Sequence, residues 1–321
     1  MTWSSLKVRQ PTILQRALTV PRLRSVFILL ALTVATLAGA APAAQARLTV
    51  RWGEEGHTMI GRAAAERLPA SMPAFFREAA AQLAYLNPEP DRWRQFREDT
   101  TLAGAMGGYY GYEHYVDLEL VPPNALRARD RNAFANALRA AGQSPSTVGV
   151  LPYRVLELTD RLRRGFSLWR HAPDDATRGY IEQRIINDAG ILGHYIADAA
   201  NPHHTTIHHN GWVGVNPKGF TTDRTMHGRF ESEYVRTHMA LSDFAGMVTP
   251  APHMLVPLQD SLLAYLDRSH GQLERLYSLE KEEPFGKATT GAGHKQFTAE
   301  RMADGASVLR DIWFTAWVTS R

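Results

Sequence analysis

The chain carries thirteen histidines, and five of them fall between positions 194 and 209: His194, His203, His204, His208 and His209. Imidazole and carboxylate groups bind divalent transition metals, zinc foremost, once their ligand atoms converge on one point. A His followed four residues later by Asp or Glu sets two such groups about 6 Å apart on one helix face. Four pairs have this spacing: His171/Asp175, His194/Asp198, His227/Glu231 and His270/Glu274. One pair alone means little, because the spacing recurs by composition. Pro173 interrupts the first pair, which is not expected to be helical. His270/Glu274 reads as the solvated face of an amphipathic helix. The other two differ in their surroundings. In HYIADAANPHHTTIHHNGW (194–212), a helix closes on Asp198, Asn201-Pro202 turns the chain and His204 follows; the second segment is MHGRFESEYV (226–235).

Positioning these groups falls to helices. Ile60, Ala64 and Leu68 recur at a helical period and end at Pro69; Leu151, Val155, Leu158, Leu162, Phe166 and Leu168 form a second stripe. Leu262, Leu263, Leu266, Leu273 and Leu276 form a third, and Met302, Leu309, Trp313 and Trp317 a fourth. Alternating period-2 runs are nearly absent, so the expected fold is all-α, a single multi-helix domain. Pro and Gly cluster at 86–90, 104–111, 121–124, 211–219 and 249–257, which read as the long loops framing a site.

Two further pieces precede the histidine cluster: WGEEGH at 52–57 and YEHYVDLE at 112–119. Taken in order, the elements resemble the zinc-dependent phospholipase C and type I nuclease superfamily, which includes mung bean nuclease and its fungal relatives. Its members carry Trp-Gly-x-x-Gly-His, a lone Asp, and a His followed by an aromatic residue. Next come His-x-x-x-Asp with another His six residues on, and a final His-x-x-x-Asp/Glu. The similarity runs from Trp52 to Glu231. It implies two or three zinc ions: one held by Asp91, His114, His194 and Asp198, a second by His204, His227 and Glu231, and a third by Trp52 through its backbone, His57 and Asp198. Glu89 and Asp99 are nearby alternatives to Asp91.

What the resemblance implies chemically is phosphodiester hydrolysis. Water bridging two zinc ions loses its proton near neutral pH, and clustered cations neutralise the phosphodiester it attacks. Asp91 would orient or deprotonate that water. His203, His208 and His209 are extra to the pattern and read as groups supporting the ligands, as substrate contacts or as polar loop residues, the last preferred. Glu231 is phospholipase-like, where the nucleases have Asp, and His208-His209-Asn210-Gly211-Trp212 replaces their Gly-Gly-Asn. WGEEGH and the step from His204 to His227 are nuclease-like. The expected substrate is therefore single-stranded nucleic acid ahead of phospholipid, with phospholipase C the alternative. A secreted protein that only binds zinc is a third reading, which the separate Asp91 and the paired-metal ligand count disfavour.

Composition sets the outer bounds. With 44% hydrophobic and 21% charged residues and no cysteine, the chain is neither disordered nor a disulfide scaffold. Residues 1–46 hold Lys7, Arg9, Arg16, Arg22 and Arg24 and no carboxylate, so the formal charge of +4 becomes slightly negative beyond them. That argues against a broad basic nucleic-acid surface on the domain at 47–321. The leader has the parts of a secretory signal: a cationic start, an apolar stretch at 25–41 and Ala44-Gln45-Ala46 as a cleavage site. The mature protein is expected to be secreted or periplasmic, with no stable membrane anchor and no obligate protein partner. Trp52 can offer a metal its amino nitrogen only if the active form begins there, although Arg47–Arg51 follow the cleavage site.

Overall fold

The protein is seen here in a computed structural model, which describes residues 53–94 and 110–321. The leader, Trp52, Asp99 and most of the 104–111 loop lie outside these residues. The fold is all-α, with no strand among the described residues. Seven helices matter for the site: α1 (Glu54–Glu66), α2 (Ala80–Leu86), α3 (Leu151–Arg170), α4 (Asp175–Ala200), α5 (Leu258–His270), α6 (Leu273–Glu282) and α7 (Ala292–Val318).

The 26-residue α4 is the axis of the bundle. At 1.5 Å per residue it is roughly 39 Å long. Asp174 caps its start by accepting from the Thr177 amide at 2.7 Å. Its first turns are exposed, whereas Asp188–Ala200 is buried on every side by α1, α2, α3, α5 and α7. A segment enclosed all round needs no polar stripe, so small and apolar residues (Ala189, Gly190, Ile191, Leu192, Gly193, Ile196, Ala197) dominate it. Asp188, which opens the stretch, pairs with Arg161 at 2.8 Å; His194 and Asp198, further along, form no such pair with an arginine among the described residues.

The core is continuous around α4. Phe76 meets Phe166 and Trp313 edge-on at 5.5 Å in both cases, and the Trp313 indole N–H donates to the Ala189 carbonyl at 3.2 Å. Each such buried aromatic contributes roughly 1.5–3 kcal/mol. Two expectations change. Leu168, counted in the α3 stripe, is 52% exposed, because a helix turning about 100° per residue carries it off the buried face, which Trp169 continues against Phe75 and Trp317. The 86–90 loop is partly helical: Glu89–Trp93 forms a short helix with Pro90 in its first turn, where the missing N–H costs nothing. No helix among the described residues is long and apolar enough to cross a membrane.

Candidate metal centre

Five segments converge at the lower half of α4. The start of α1 brings His57, and the short Glu89–Trp93 helix brings Asp91. The Tyr112–Asp117 segment carries His114 and is strapped on both sides. Val150 N donates to Tyr112 O at 2.9 Å and Asp117 N to Val148 O at 2.7 Å, while Val116 N donates to His204 O at 2.9 Å. Gly149 makes that strap tight: its φ is +85°, and a β-carbon there would run into the Tyr115 carbonyl. After α4, the Asn201 side chain accepts from His203 N at 3.1 Å and opens the 3₁₀ turn Pro202–Thr205, which presents His204. His227 lies within the short turn Met226–Gly228, and Glu231 lies in the π-helical Arg229–Tyr234 that follows. Such π turns are uncommon and concentrate at functional sites.

The ligand atoms gather into three groups, each within the span of one metal ion: His57/His194/Asp198, Asp91/His114/His194 and His204/His227/Glu231. Every site residue expected from the sequence and described here belongs to one of them, and no other described residue does. Atoms bound at 2.0–2.1 Å to a tetrahedral zinc lie roughly 3.4 Å apart. The separations spread around that value, the shortest being 2.7 Å from His227 Nε2 to Glu231 Oε2 and 2.9 Å from His194 Nε2 to His114 Nδ1. His57 Nε2 is 3.5 Å from Asp198 Oδ1, His194 Nε2 is 3.3 Å from Asp198 Oδ2, and His204 Nε2 is 3.4 Å from Glu231 Oε2. Asp91 Oδ1 stands 3.8 Å from His114 Nδ1 and 3.9 Å from His194 Nε2. Buried histidine and carboxylate groups that could hold a metal ion are therefore present.

Electrostatics favour a cation here. Burial drives His57 down to about 3, and burial together with the Arg94 charge holds His114 well below the usual imidazole range. Both rings are therefore neutral and able to donate a lone pair. Burial opposes the charges of Asp198 and Glu231, yet neighbouring imidazoles outweigh it: His194 and His204 hold Asp198 far below the usual carboxylate range, and His227 and His204 do the same for Glu231. His204 moves the other way. Burial works against its proton, but the Asp198 charge, the Glu231 carboxylate and the His114 carbonyl raise it to about 9. A protonated His204 thus supplies part of the positive charge that three clustered carboxylates require.

The remaining sequence expectations separate cleanly. Trp52 and its proposed backbone ligation lie outside the described residues. Glu89 bonds Arg92 and Trp93 and takes no part in the groups. His171 donates to the Ser167 carbonyl at 2.8 Å, while Asp175 is fully exposed, so that pair is not a site. His208 stacks on Trp212 at 3.9 Å and His209 donates to Thr206 O at 3.2 Å, both as loop residues. His203 corrects the polar-loop reading: it is fully buried, 4.8 Å from the His227 ring and against Phe230. His270 is also corrected. It is no solvated bystander, because it donates to the Thr205 carbonyl at 3.0 Å, one residue past His204, and faces Glu119. Glu274 lies beyond the helix break and pairs with Lys218 instead.

Sequence reasoning missed three groups. Arg94 lies one turn after Asp91 and donates to its Oδ1 at 3.1 Å, within reach of the open side of the cluster. Glu113, beside His114, is buried between Arg131 at 2.6 Å and Arg154 at 3.3 Å and accepts from Tyr195 at 3.4 Å. It ties the neighbours of His114 and His194 together. Asp117 is buried, and burial with the nearby Glu119 charge pushes its carboxyl up to about 7. The i,i+3 spacing of Arg94 was visible in the chain; the partners of Glu113 were not. Comparison with protein-family models and with curated proteins finds no match to this chain.

Proposed function

We propose that the chain is a zinc-dependent phosphodiester hydrolase acting on nucleic acid. The observation that carries this reading is the convergence of three contiguous ligand groups, with Asp198 and His194 in the centre and one side left open. The Asp91 side chain is 19% exposed and that of His227 17%, whereas His57 and His194 are sealed. A protein that only stores metal has no use for solvent access to its carboxylates. Bound in these groups, zinc would lower the pKa of water towards neutrality and offset the charge of a phosphodiester.

The chain's own residues would perform the rest. Asp91 is the accessible carboxylate, and burial raises its carboxyl above the ordinary range, which suits a group that takes a proton from water. Arg94, alongside it, offers a fixed cation to a non-bridging phosphate oxygen. His194 would turn its Nε2 towards the cluster because its Nδ1 donates to the Asn87 carbonyl at 3.0 Å, and His114 presents its Nδ1 3.0 Å from Asp198 Oδ2. The nuclease reading is preferred to phospholipase for the WGEEGH element at 52–57 and the spacing of His204 and His227. The leader at 1–46 suggests that the enzyme acts outside the cytoplasm.

The test is hydrolysis of single-stranded DNA, RNA and phosphatidylcholine in parallel by the purified protein, with and without chelator. Chelator-sensitive cleavage of nucleic acid is expected, together with two or three zinc ions per chain by elemental analysis. Cleavage of phosphatidylcholine alone would move the assignment to phospholipase C. Zinc without turnover on any of the three would leave a binding protein.

A further inference from the structure

Asn87 is fully buried between α1 and α4, and it bonds two of the candidate ligands. Its side-chain Oδ1 lies 3.0 Å from His57 Nδ1, and its backbone carbonyl lies 3.0 Å from His194 Nδ1. The two imidazoles are stacked, with centroids 4.0 Å apart and planes 16° from parallel. A neutral imidazole carries one N–H, so donation from Nδ1 leaves the lone pair on Nε2. In both rings Nε2 is the atom that faces Asp198. One residue from the α2 terminus therefore sets the orientation of two rings that come from helices 137 positions apart (His57 and His194).

The surroundings have been shaped around this side chain. A β-carbon on Gly193 would overlap Asn87 Nδ2, and one on Gly61 would come within 2.9 Å of it. Glycine at both positions is the condition for Asn87 to fit. The amide N–H₂ makes no hydrogen bond among the described residues, so the acceptor end of the side chain is the one in use. Burying an amide with its donors unmatched costs about 1–3 kcal/mol. An apolar residue in the same space would be cheaper for folding, which points to a role for the oxygen beyond packing.

We propose that Asn87 is a positioning residue for the metal centre: its side chain fixes the Nδ1–H tautomer of His57 and its backbone carbonyl that of His194, the residue shared by two of the ligand groups. This rests on the metal-binding reading above and adds the residue that orients its ligands. Partners that hold the second ring nitrogen of a ligating His change metal affinity by roughly 10–100-fold when removed. The His204/His227/Glu231 group is outside this device, since His204 Nδ1 donates to the His114 carbonyl at 2.7 Å.

The test begins with the unsubstituted, metal-free protein, whose histidine ring nitrogens are read by nitrogen-resolved NMR. Both His57 and His194 are expected to carry the proton on Nδ1; a proton on Nε2 in either ring overturns the proposal. Asn87→Ala is then compared with Asn87→Asp, which keeps the acceptor oxygen, in zinc titrations against a competing chelator. The alanine variant removes the side-chain bond to His57 but keeps the backbone carbonyl that holds His194. It should therefore lose roughly 10–100-fold in affinity at the group containing His57, with the His204 and His227 resonances still responding to zinc as before. The aspartate variant should recover to within about threefold. Equal affinity in the alanine variant, or equal losses in both variants, would assign Asn87 to packing alone. A wild-type protein that takes up no zinc defeats the metal reading instead, and the NMR result still decides the role of Asn87.

Discussion

His194/Asp198 and His270/Glu274 have the same spacing and opposite fates. The first pair lies in the enclosed half of α4, where both side chains point into one buried space and their atoms approach to 3.3 Å. Asp198 there reaches His57, His114 and His204 as well, at 3.5, 3.0 and 3.7 Å. The second pair straddles Gly271 and Gln272, where α5 stops and α6 begins. Its members turn to different partners: His270 to the Thr205 carbonyl and Glu119, Glu274 to Lys218 at the surface. Four-residue spacing makes a ligand pair only where one unbroken helix carries both residues and other segments close around them. Converging carboxylates and imidazoles, not spacing, distinguish a site from a coincidence.

The largest effect should come from Asp198→Ala. That substitution withdraws a carboxylate from the centre of the cluster, so zinc content should fall and phosphodiester turnover should drop by more than about a hundredfold. Elemental analysis and turnover are read on the same preparation. Turnover near wild type would place the chemistry elsewhere in the molecule.

A second, smaller effect follows from the proton on His204. In chelator-treated protein its folded pKa of about 9 exceeds the ordinary imidazole value of 6.5, so its contribution to stability is complete below about 6.5 and lost as pH rises through 9. His57 is neutral throughout this window, whereas Asp117, its carboxyl pushed up to about 7, is only half-titrated at pH 7 and adds about 0.4 kcal/mol to the loss. The metal-free protein should thus lose on the order of 2 kcal/mol between pH 7 and 9, measured by urea unfolding. The zinc-loaded protein should not, because metal requires His204 to be deprotonated already. A metal-free protein equally stable at both pH values would mean that His204 holds no extra proton.

Much of the fold and the site was legible in the chain, for identifiable reasons. Helical periodicity is local, so the stripes containing Ile60, Leu158 and Leu309 correspond to buried helix faces. The ligand groups are local pairs or single residues that carry their own chemistry. What was hidden depends on approach between distant segments. Asn87 meets His194 across 107 positions and Glu113 meets Tyr195 across 82, and neither contact leaves a spacing to read. Leu168 was misread because a Leu was counted into the stripe although the helical period carries it off the buried face, where Trp169 takes the next core position. His270 was misread for the related reason that its partner is a backbone carbonyl, which no side-chain pattern records.

His270→Ala should therefore have a modest effect. Losing one hydrogen bond to the Thr205 carbonyl costs about 1 kcal/mol, and the 3₁₀ turn bearing His204 becomes less constrained. Thermal unfolding should register the loss, with turnover reduced by no more than a few-fold. A loss comparable to that of Asp198→Ala would show that the wrong pair had been assigned to the metal.

The smallest effect should come from Glu274→Ala, and the pair of substitutions sharpens the comparison further. Lys218 and Glu274 are 2.6 Å apart but both more than half exposed, and such ion pairs contribute roughly 0–1 kcal/mol, less in salt. The stability change should stay within about 0.5 kcal/mol and shrink as salt is added. Because His270 and Glu274 share no partner, their double substitution should equal the sum of the singles to within about 0.5 kcal/mol. His194 and Asp198 touch each other and share His114, so their double substitution should fall well short of additivity. Removing either one already breaks the same cluster, and the second loss has little left to remove. A coupling between His270 and Glu274 as large as that between His194 and Asp198 would erase the distinction drawn between the two pairs. Additive behaviour in one cycle and strong coupling in the other would place it in free energy as well as in geometry.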